Sequence, residues 1–202
     1  MQNALRVLAQ AIANHLASAT PPPGPVADAV GRFQAAAASA TPNPDFAGTP
    51  NRDHTAILAP ALADGASSPT AGITTAMSAL PAPLPWHYHY ADRDDAPDRA
   101  ARIAFAELIG PRGPLAAPDC RIGFTLMAAG TFYPLHAHPA EELYLVLSGA
   151  ALWMAPPAQR VAPPGGLILH PSNQPHAMRT DQQPLLALYG WSGDINSPAI
   201  YL

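Results

Sequence analysis

The sequence predicts a mainly β protein, a β-barrel that carries an N-terminal helical region. Three observations lead there. The texture of the chain changes near residue 80, with alanine dominating before it and short apolar or alternating runs after it. Apolar residues of the first part recur at helical steps of three and four. Those of the second part fall into many short runs separated by Gly, Pro, Asp and Asn, the pattern of an all-β sandwich or barrel. Helices first and strands afterwards place a helical cap on that barrel. The expected organisation is residues 1–80 as a helical region packing on the barrel and residues 81–202 as the barrel, with a metal site.

The elements follow in order. Leu5, Leu8, Ile12 and Leu16 share one helix face, and "PPPG" at 21–24 ends that helix because proline cannot continue the turn. "VADAVGRFQAAAASA" predicts a second helix. A third starts near "NRDHTAILAPALADG", with Asp53 as its cap and Gly65 as its stop, and "AGITTAMSAL" is a fourth. Short helices are marginal alone in water, so this region must pack against the rest. The strands expected are "RIAFAELIG", "RIGFTLMAAG", "ELYLVLSG", "AALWMAP", "GLILHP", "HAMRT" and "PLLALYGW". Turn residues at "SG", "PPGG" and "PSNQP" separate several of them. "WHYHY" at 86–90 is expected to open the barrel as a strand, one face solvated and one packed. His87 and His89 would share one face; Trp86, Tyr88 and Tyr90 would share the other, with Tyr88 or Tyr90 available to line a pocket.

Composition narrows the chemistry. The 202 residues are 49% hydrophobic and only 12% charged, which marks a globular chain able to bury a sizeable core. A net charge of -4 gives no reason to expect a nucleic-acid partner. All ten basic residues are arginine, so Schiff-base chemistry and the P-loop lysine are excluded together. The single Cys120 cannot form an internal disulfide and reads as a small buried hydrophobe. No stretch approaches the roughly 18 apolar residues of a membrane span, and the N-terminus reads as a helix rather than a signal peptide. A cytoplasmic protein without membrane partners is expected.

The chemistry concentrates in "YPLHAHPAEELY", residues 133–144. Residues two apart on a strand point the same way, so His136 and His138 face together. Glu142 and Tyr144 keep that parity after "PAE" turns the chain, and Glu141 faces away. Two imidazoles and a carboxylate converging from adjacent strands suit a borderline first-row ion. A fourth ligand must come from farther along, and His176 in "PSNQPHAM" is the best candidate. His170, at the end of "GLILH", lies near in sequence but has no assigned ligand role. His15 and His54 read as surface or helix-terminus residues.

Spacing adds a resemblance. From Gly130 the chain reads five residues, His136-x-His138, three residues, Glu142, six residues, Gly149, which matches the first signature motif of the cupins at every fixed position. In the second motif Gly165, Pro171 and His176 fall in place, while Asn173 stands where glycine is usual and Thr180 where asparagine is usual. Asparagine tolerates the left-handed conformation better than most residues. The chain thus resembles the cupins, double-stranded β-helix (jelly-roll) barrels. The resemblance implies one divalent transition metal ion (Zn, Fe, Mn, Co or Ni) held by His136, His138, Glu142 and His176.

Ordinary cupins do not need Tyr133 and Tyr144. With "YPLHAHPAEELY" as a unit, "NQPHAM", and "YGWSGD" at 189–194, the sequence is similar to the cupin-type dimethylsulfoniopropionate lyases. That resemblance implies Tyr144 as base, Tyr133 assisting in binding or proton transfer, and Trp191 as a wall of the substrate pocket, with Tyr133 and His136 also facing substrate. A phenol titrates near 10 in water, and a nearby dication favours the phenolate, which can act as general base or as a metal ligand that swings off. The substrate implied is a small zwitterion with a sulfonium and a carboxylate; a chain without lysine suits the cation. Proton removal beside the carboxylate would release dimethyl sulfide and acrylate. Two other classes remain open: another metal-dependent cupin enzyme, a dioxygenase or isomerase, and a non-catalytic small-molecule-binding cupin. Exposed barrel edges leave room for a homodimer.

Overall fold

The computed structural model describes residues 1–48, 52–90 and 98–202. The helices are α1 (Gln2–Ser18), α2 (Pro25–Ser39), α3 (Thr55–Gly65), α4 (Ala71–Ser78) and the short α5 (Arg99–Arg102). The strands are β1 (Thr41–Pro42), β2 (Ile103–Ile109), β3 (Leu115–Ala116), β4 (Cys120–Met127), β5 (Phe132–Ala137) and β6 (Glu141–Ser148). They continue as β7 (Ala151–Ala155), β8 (Ala158–Ala162), β9 (Leu167–His170), β10 (His176–Thr180), β11 (Leu185–Ser192) and β12 (Ile200–Tyr201).

The strands form two sheets, ordered β1-β3-β2-β4-β11-β6-β9 and β12-β5-β10-β7-β8. From β4 to β12 the chain passes between the sheets at nearly every step, which is the winding of a jelly roll. The protein is a jelly-roll barrel with N-terminal helices.

Strands β2, β4, β6 and β11 are buried almost end to end, because both faces of the larger sheet are covered. Leu143, Leu145 and Leu147 of β6 point outward and join one core with Leu5, Leu8, Ile12 and Leu16 of α1 and Phe33 of α2. Ile122, Phe124 and Leu126 of β4 share that face. Residues of the other parity point into the barrel, where Phe105, Tyr133, Tyr144, Val146, Trp153 and Met178 form a second cluster. The continuous apolar texture of these strands therefore reflects two covered faces rather than one. Gly190 has a packing reason: a Cβ there would meet the Phe33 ring at 2.8 Å, so glycine lets α2 seat on β11.

Several expected details meet their physical reasons here. His54, not Asp53, is the cap residue of α3; Asp53 stands one residue earlier and accepts the Thr55 N–H at 2.9 Å, and residue 51, in the stretch expected to begin that helix, lies outside the described residues. Gly65 ends α3, but a Cβ there would meet Thr74 Cγ2 at 2.5 Å, so close approach of α4 is what requires it. Asn173 has φ of 60°, the left-handed conformation that glycine usually supplies in the second motif. Thr180, in place of the usual asparagine, donates to Ala128 O at 2.6 Å and accepts from Thr131 N–H at 2.9 Å, tying that turn together. Cys120 is buried and its thiol is pushed up to about 11 by burial, as a core residue's would be.

"WHYHY" departs from the expected strand. Among the described residues it pairs only through one isolated bridge, between His87 and Phe105. Prolines at 81, 83 and 85 remove the amide donors that a regular ladder needs. Without strand alternation, Trp86 turns into the helix-side core while Tyr88 and Tyr90 pack against the barrel cluster. The charged run that follows lies outside the described residues at 91–97. His54 is at a helix terminus as expected, but it is buried.

Candidate metal centre and active-site cavity

Three elements bring the candidate ligands together. His136 stands on β5, His138 directly after it, Glu142 on β6, and His176 opens β10 directly opposite His136. The turn at Asn173 is held to this group, since its N–H donates to His138 O at 2.9 Å. All four side chains are buried.

Each imidazole is fixed by its backbone. Nδ1 of His136, His138 and His176 lies 2.8, 2.9 and 2.9 Å from the carbonyls of Pro134, Ala140 and Gln174. A carbonyl only accepts, so Nδ1 carries the hydrogen and a neutral ring presents its lone pair at Nε2. Nε2 of His138 lies 3.0 Å and Nε2 of His176 lies 3.2 Å from the same Glu142 oxygen, Oε2. Lone pairs converging on a carboxylate oxygen repel unless the nitrogens are protonated or a cation sits among them. Candidate ligand atoms of His138, Glu142 and His176 all lie within 4.8 Å of one another. His136 is outside that set, although its ring is 4.1 Å from that of His176 and 6.3 Å from that of His138.

The buried groups act strongly on one another. Burial works to raise the Glu142 carboxyl, but His138 and His176 outweigh it and hold the group well below the usual carboxylate range. Burial works to lower His138, and Glu142 outweighs it and holds the imidazole above its usual value. Burial and the neighbouring His176 push His136 well below its usual value. The donor set of two to three imidazoles and one carboxylate, with every Nδ1 anchored, fits a divalent first-row metal.

A cavity of about 250 Å³ opens on this group. Tyr133, Tyr144, Tyr189, Trp191 and Phe105 contribute to its walls. The register explains why: Tyr144 lies opposite Tyr189, and Glu142 opposite Trp191, so these side chains stand in adjacent cross-strand rows on the inner face. Burial, then the Glu142 charge, raises the Tyr144 phenol well above 10. Tyr133 stacks on His136 with ring centroids 4.0 Å apart, and its hydroxyl is 2.5 Å from that of Tyr90. Burial likewise raises the Tyr133 phenol well above its ordinary value.

Trp191 lines the cavity and does more than form a wall. Its Nε1–H donates to Glu142 Oε1 at 2.7 Å, orienting the carboxylate whose other oxygen faces His138 and His176. Glu141, of opposite parity, pairs outside the barrel with Arg32 at 2.7 Å. His170 stands opposite Glu142 and stacks on His176, ring on ring at 4.0 Å, without joining the group His138, Glu142 and His176. His87 and His89 line the cavity, His87 half-buried and His89 exposed.

Sequence reasoning missed the charged end of the cavity. Glu107, Arg112 and Arg121 give the wall a charged end, so the absence of lysine does not leave it without cations. Lone charges in "RIAFAELIG" and at the start of "RIGFTLM" carried that signal. Gly123 acts indirectly: a Cβ there would meet the Tyr189 hydroxyl at 2.6 Å, so this mid-strand glycine admits the Tyr189 ring.

Comparison with known proteins gives the family. The family model for dimethylsulfoniopropionate lyase matches residues 30–187. The dimethylsulfoniopropionate lyase DddQ of Ruegeria pomeroyi is 36% identical over 174 residues, 85% of each chain. A putative dimethylsulfoniopropionate lyase, DddL of Cereibacter sphaeroides, is 36% identical over 154 residues, 73% of this chain and 64% of that longer protein. The crystal structure of DddQ from Ruegeria pomeroyi superposes with a TM-score of 0.61 at 30% identity, covering 87% of this chain and 95% of that one. A solved structure described under DMSP lyases RdDddP and RnDddQII gives a TM-score of 0.75 at 27% identity, covering 99% and 98%. Among the described residues no helix is long and apolar enough to cross a membrane. The chain belongs to the dimethylsulfoniopropionate lyase family, a family of carbon–sulfur lyases.

Proposed function

We propose that this protein is a metal-dependent dimethylsulfoniopropionate lyase in which Tyr144 removes the α-proton. The observation that carries the reading is the convergence of two Nδ1-anchored histidines and one carboxylate beside a buried tyrosine in one cavity. His138, Glu142 and His176 would hold the ion, with His136 adjacent to complete the set. When bound, such a dication supplies Lewis-acid polarisation of a carboxylate and a positive charge that favours a neighbouring phenolate.

The chain's own residues supply the rest. Burial and Glu142 both oppose ionisation of Tyr144, so the phenolate forms only where positive charge offsets them. Its oxygen takes the proton from the carbon next to the substrate carboxylate. The carbon–hydrogen electron pair becomes the new C=C bond as the β-carbon–sulfur bond breaks. Sulfur keeps that bond's electron pair and leaves as neutral dimethyl sulfide; acrylate remains. Faces of Tyr133 and Phe105, with ring centroids 5.7 Å apart, would hold the sulfonium. Trp191 keeps Glu142 in place through its N–H. Tyr133, hydrogen-bonded to Tyr90, would assist in binding and in passing the proton onward.

The test is headspace detection of dimethyl sulfide from purified protein and dimethylsulfoniopropionate, before and after chelation. Release that stops on chelation and returns with a divalent metal is expected. Metal-loaded protein that releases none would refute the reading, and substrate-dependent oxygen consumption would place it among the dioxygenases instead.

A further inference from the structure

A second cavity lies at the seam between the two sheets. β8 ends the smaller sheet and β9 ends the larger one, and these two edge strands line it together with β7. Its volume is about 250 Å³, and it shares no lining residue with the cavity at the metal group. Two ring contacts separate the cavities. His170, in the wall of the second, stacks on His176 at 4.0 Å, and Trp153, in the same wall, packs on Tyr144 at 4.8 Å.

Polar groups in this wall are unmatched. Trp153 and His170 are each 2% exposed. Trp153 Nε1 and both ring nitrogens of His170 make no hydrogen bond among the described residues. An indole N–H only donates, and a neutral imidazole donates through one of its nitrogens. Burying such groups is costly unless a partner meets them. Register adds a cation to the same row. Trp153 stands opposite Arg160, so both project from one face of the sheet. Arg160 donates one N–H across the seam to Leu167 O at 2.6 Å, which leaves further donors of its fork for an occupant. Among the described residues no acidic side chain lines the cavity, while Ile168 and Ala155 give it apolar wall.

We propose that this cavity is a second binding site, for a small monocarboxylate with a short apolar tail. A carboxylate accepts from several donors at once, and the guanidinium matches it in charge and geometry. The indole and imidazole N–H groups meet its remaining lone pairs, and the tail lies on Ile168. A single water takes up only roughly 30 Å³ and brings no charge to Arg160. The site is distinct from the place where the metal polarises a substrate carboxylate, and it does not rest on the lyase reading. An occupant there touches His170 and Trp153, the two rings that back His176 and Tyr144.

The test is a titration of propionate into zinc-loaded protein, followed through the indole N–H resonances of its three tryptophans. Trp153→Phe and Trp191→Phe identify two of them by loss of a peak. Trp191, whose N–H is bonded to Glu142, marks events at the metal centre. The Trp153 resonance should move saturably, with Kd on the order of 1–10 mM. Arg160 is exposed on an edge strand, so its variants keep the fold. Binding read at Trp153 should weaken about tenfold or more in Arg160→Gln and less in Arg160→Lys. Propionamide, of the same size but uncharged, should leave the resonance in place. A Trp153 resonance that stays put with propionate, or moves equally with propionamide, overturns the proposal. So does a response unchanged in Arg160→Gln with normal circular dichroism, because the shift is then transmitted from the metal centre through Tyr144. No turnover is read, so this outcome and that of the dimethyl sulfide assay are independent.

Discussion

The two faces of the larger sheet are made by the same strands and do different work. On β6, Leu143, Leu145 and Leu147 face the helices, while Glu142, Tyr144 and Val146 face the barrel interior. The outer face is apolar over its middle, where Phe33, Leu8 and Ile12 close it, and carries Glu141 and Ser192, both bonded to Arg32, at one end. The inner face carries the row Arg121–Trp191–Glu142 and the row Gly123–Tyr189–Tyr144. One residue of register separates the two roles. Such a sheet can hold buried charges where chemistry needs them because the cost is carried by a separate, fully packed layer. Rigid strands also place reactive groups more tightly than loops do.

This contrast can be broken from either side. The largest effect is expected on the inner face, at the ligating group. His176→Ala should lose bound metal and with it all measurable dimethyl sulfide release, while thermal unfolding remains cooperative; an unchanged metal-to-protein ratio by elemental analysis would remove His176 from the ligand set. On the outer face the large effect is on stability. Phe33→Ala should cost about 3–5 kcal/mol in denaturant unfolding, with the folded fraction turning over at the wild-type rate. A kcat that falls in step with stability would show that the two faces are coupled. A smaller, graded effect is expected where the inner face orients a ligand rather than supplying one. Trp191→Phe keeps an aromatic wall but removes the N–H bonded to Glu142, so metal affinity should drop on the order of tenfold. Competition against a chelator measures this, and unaltered affinity would return Trp191 to the role of wall alone.

Much of the division was legible in the sequence. The helix face of Leu5, Leu8, Ile12 and Leu16 could be read because period 3.6 survives in a one-sided helix. The strands could be placed but not faced, since "ELYLVLS" is buried on both sides and shows little alternation. The convergence of His138, Glu142 and His176 could be read because the motif's fixed spacing reports strand parity directly. Long-range pairing could not be read. Nothing local says that Arg121 stands beside Trp191, or that Tyr90 meets the Tyr133 hydroxyl 43 residues away. The short β1, β3 and β12 and the exposed β8 exist through pairing rather than propensity, so their residues gave no signal. "WHYHY" misled because its alternation looks like a strand while the prolines before it deny it a ladder.

The central claim is that the inner face of β6 separates holding the metal, at Glu142, from moving the proton, at Tyr144. Tyr144→Phe removes one oxygen from that face and leaves the ring packed against Trp153 at 4.8 Å. Metal content and dimethyl sulfide release should be measured on the same preparation of this variant. The expected result is a full metal complement and turnover reduced by about 10²–10⁴. Turnover within a few-fold of wild type at full metal occupancy would contradict the assignment of Tyr144 as the base.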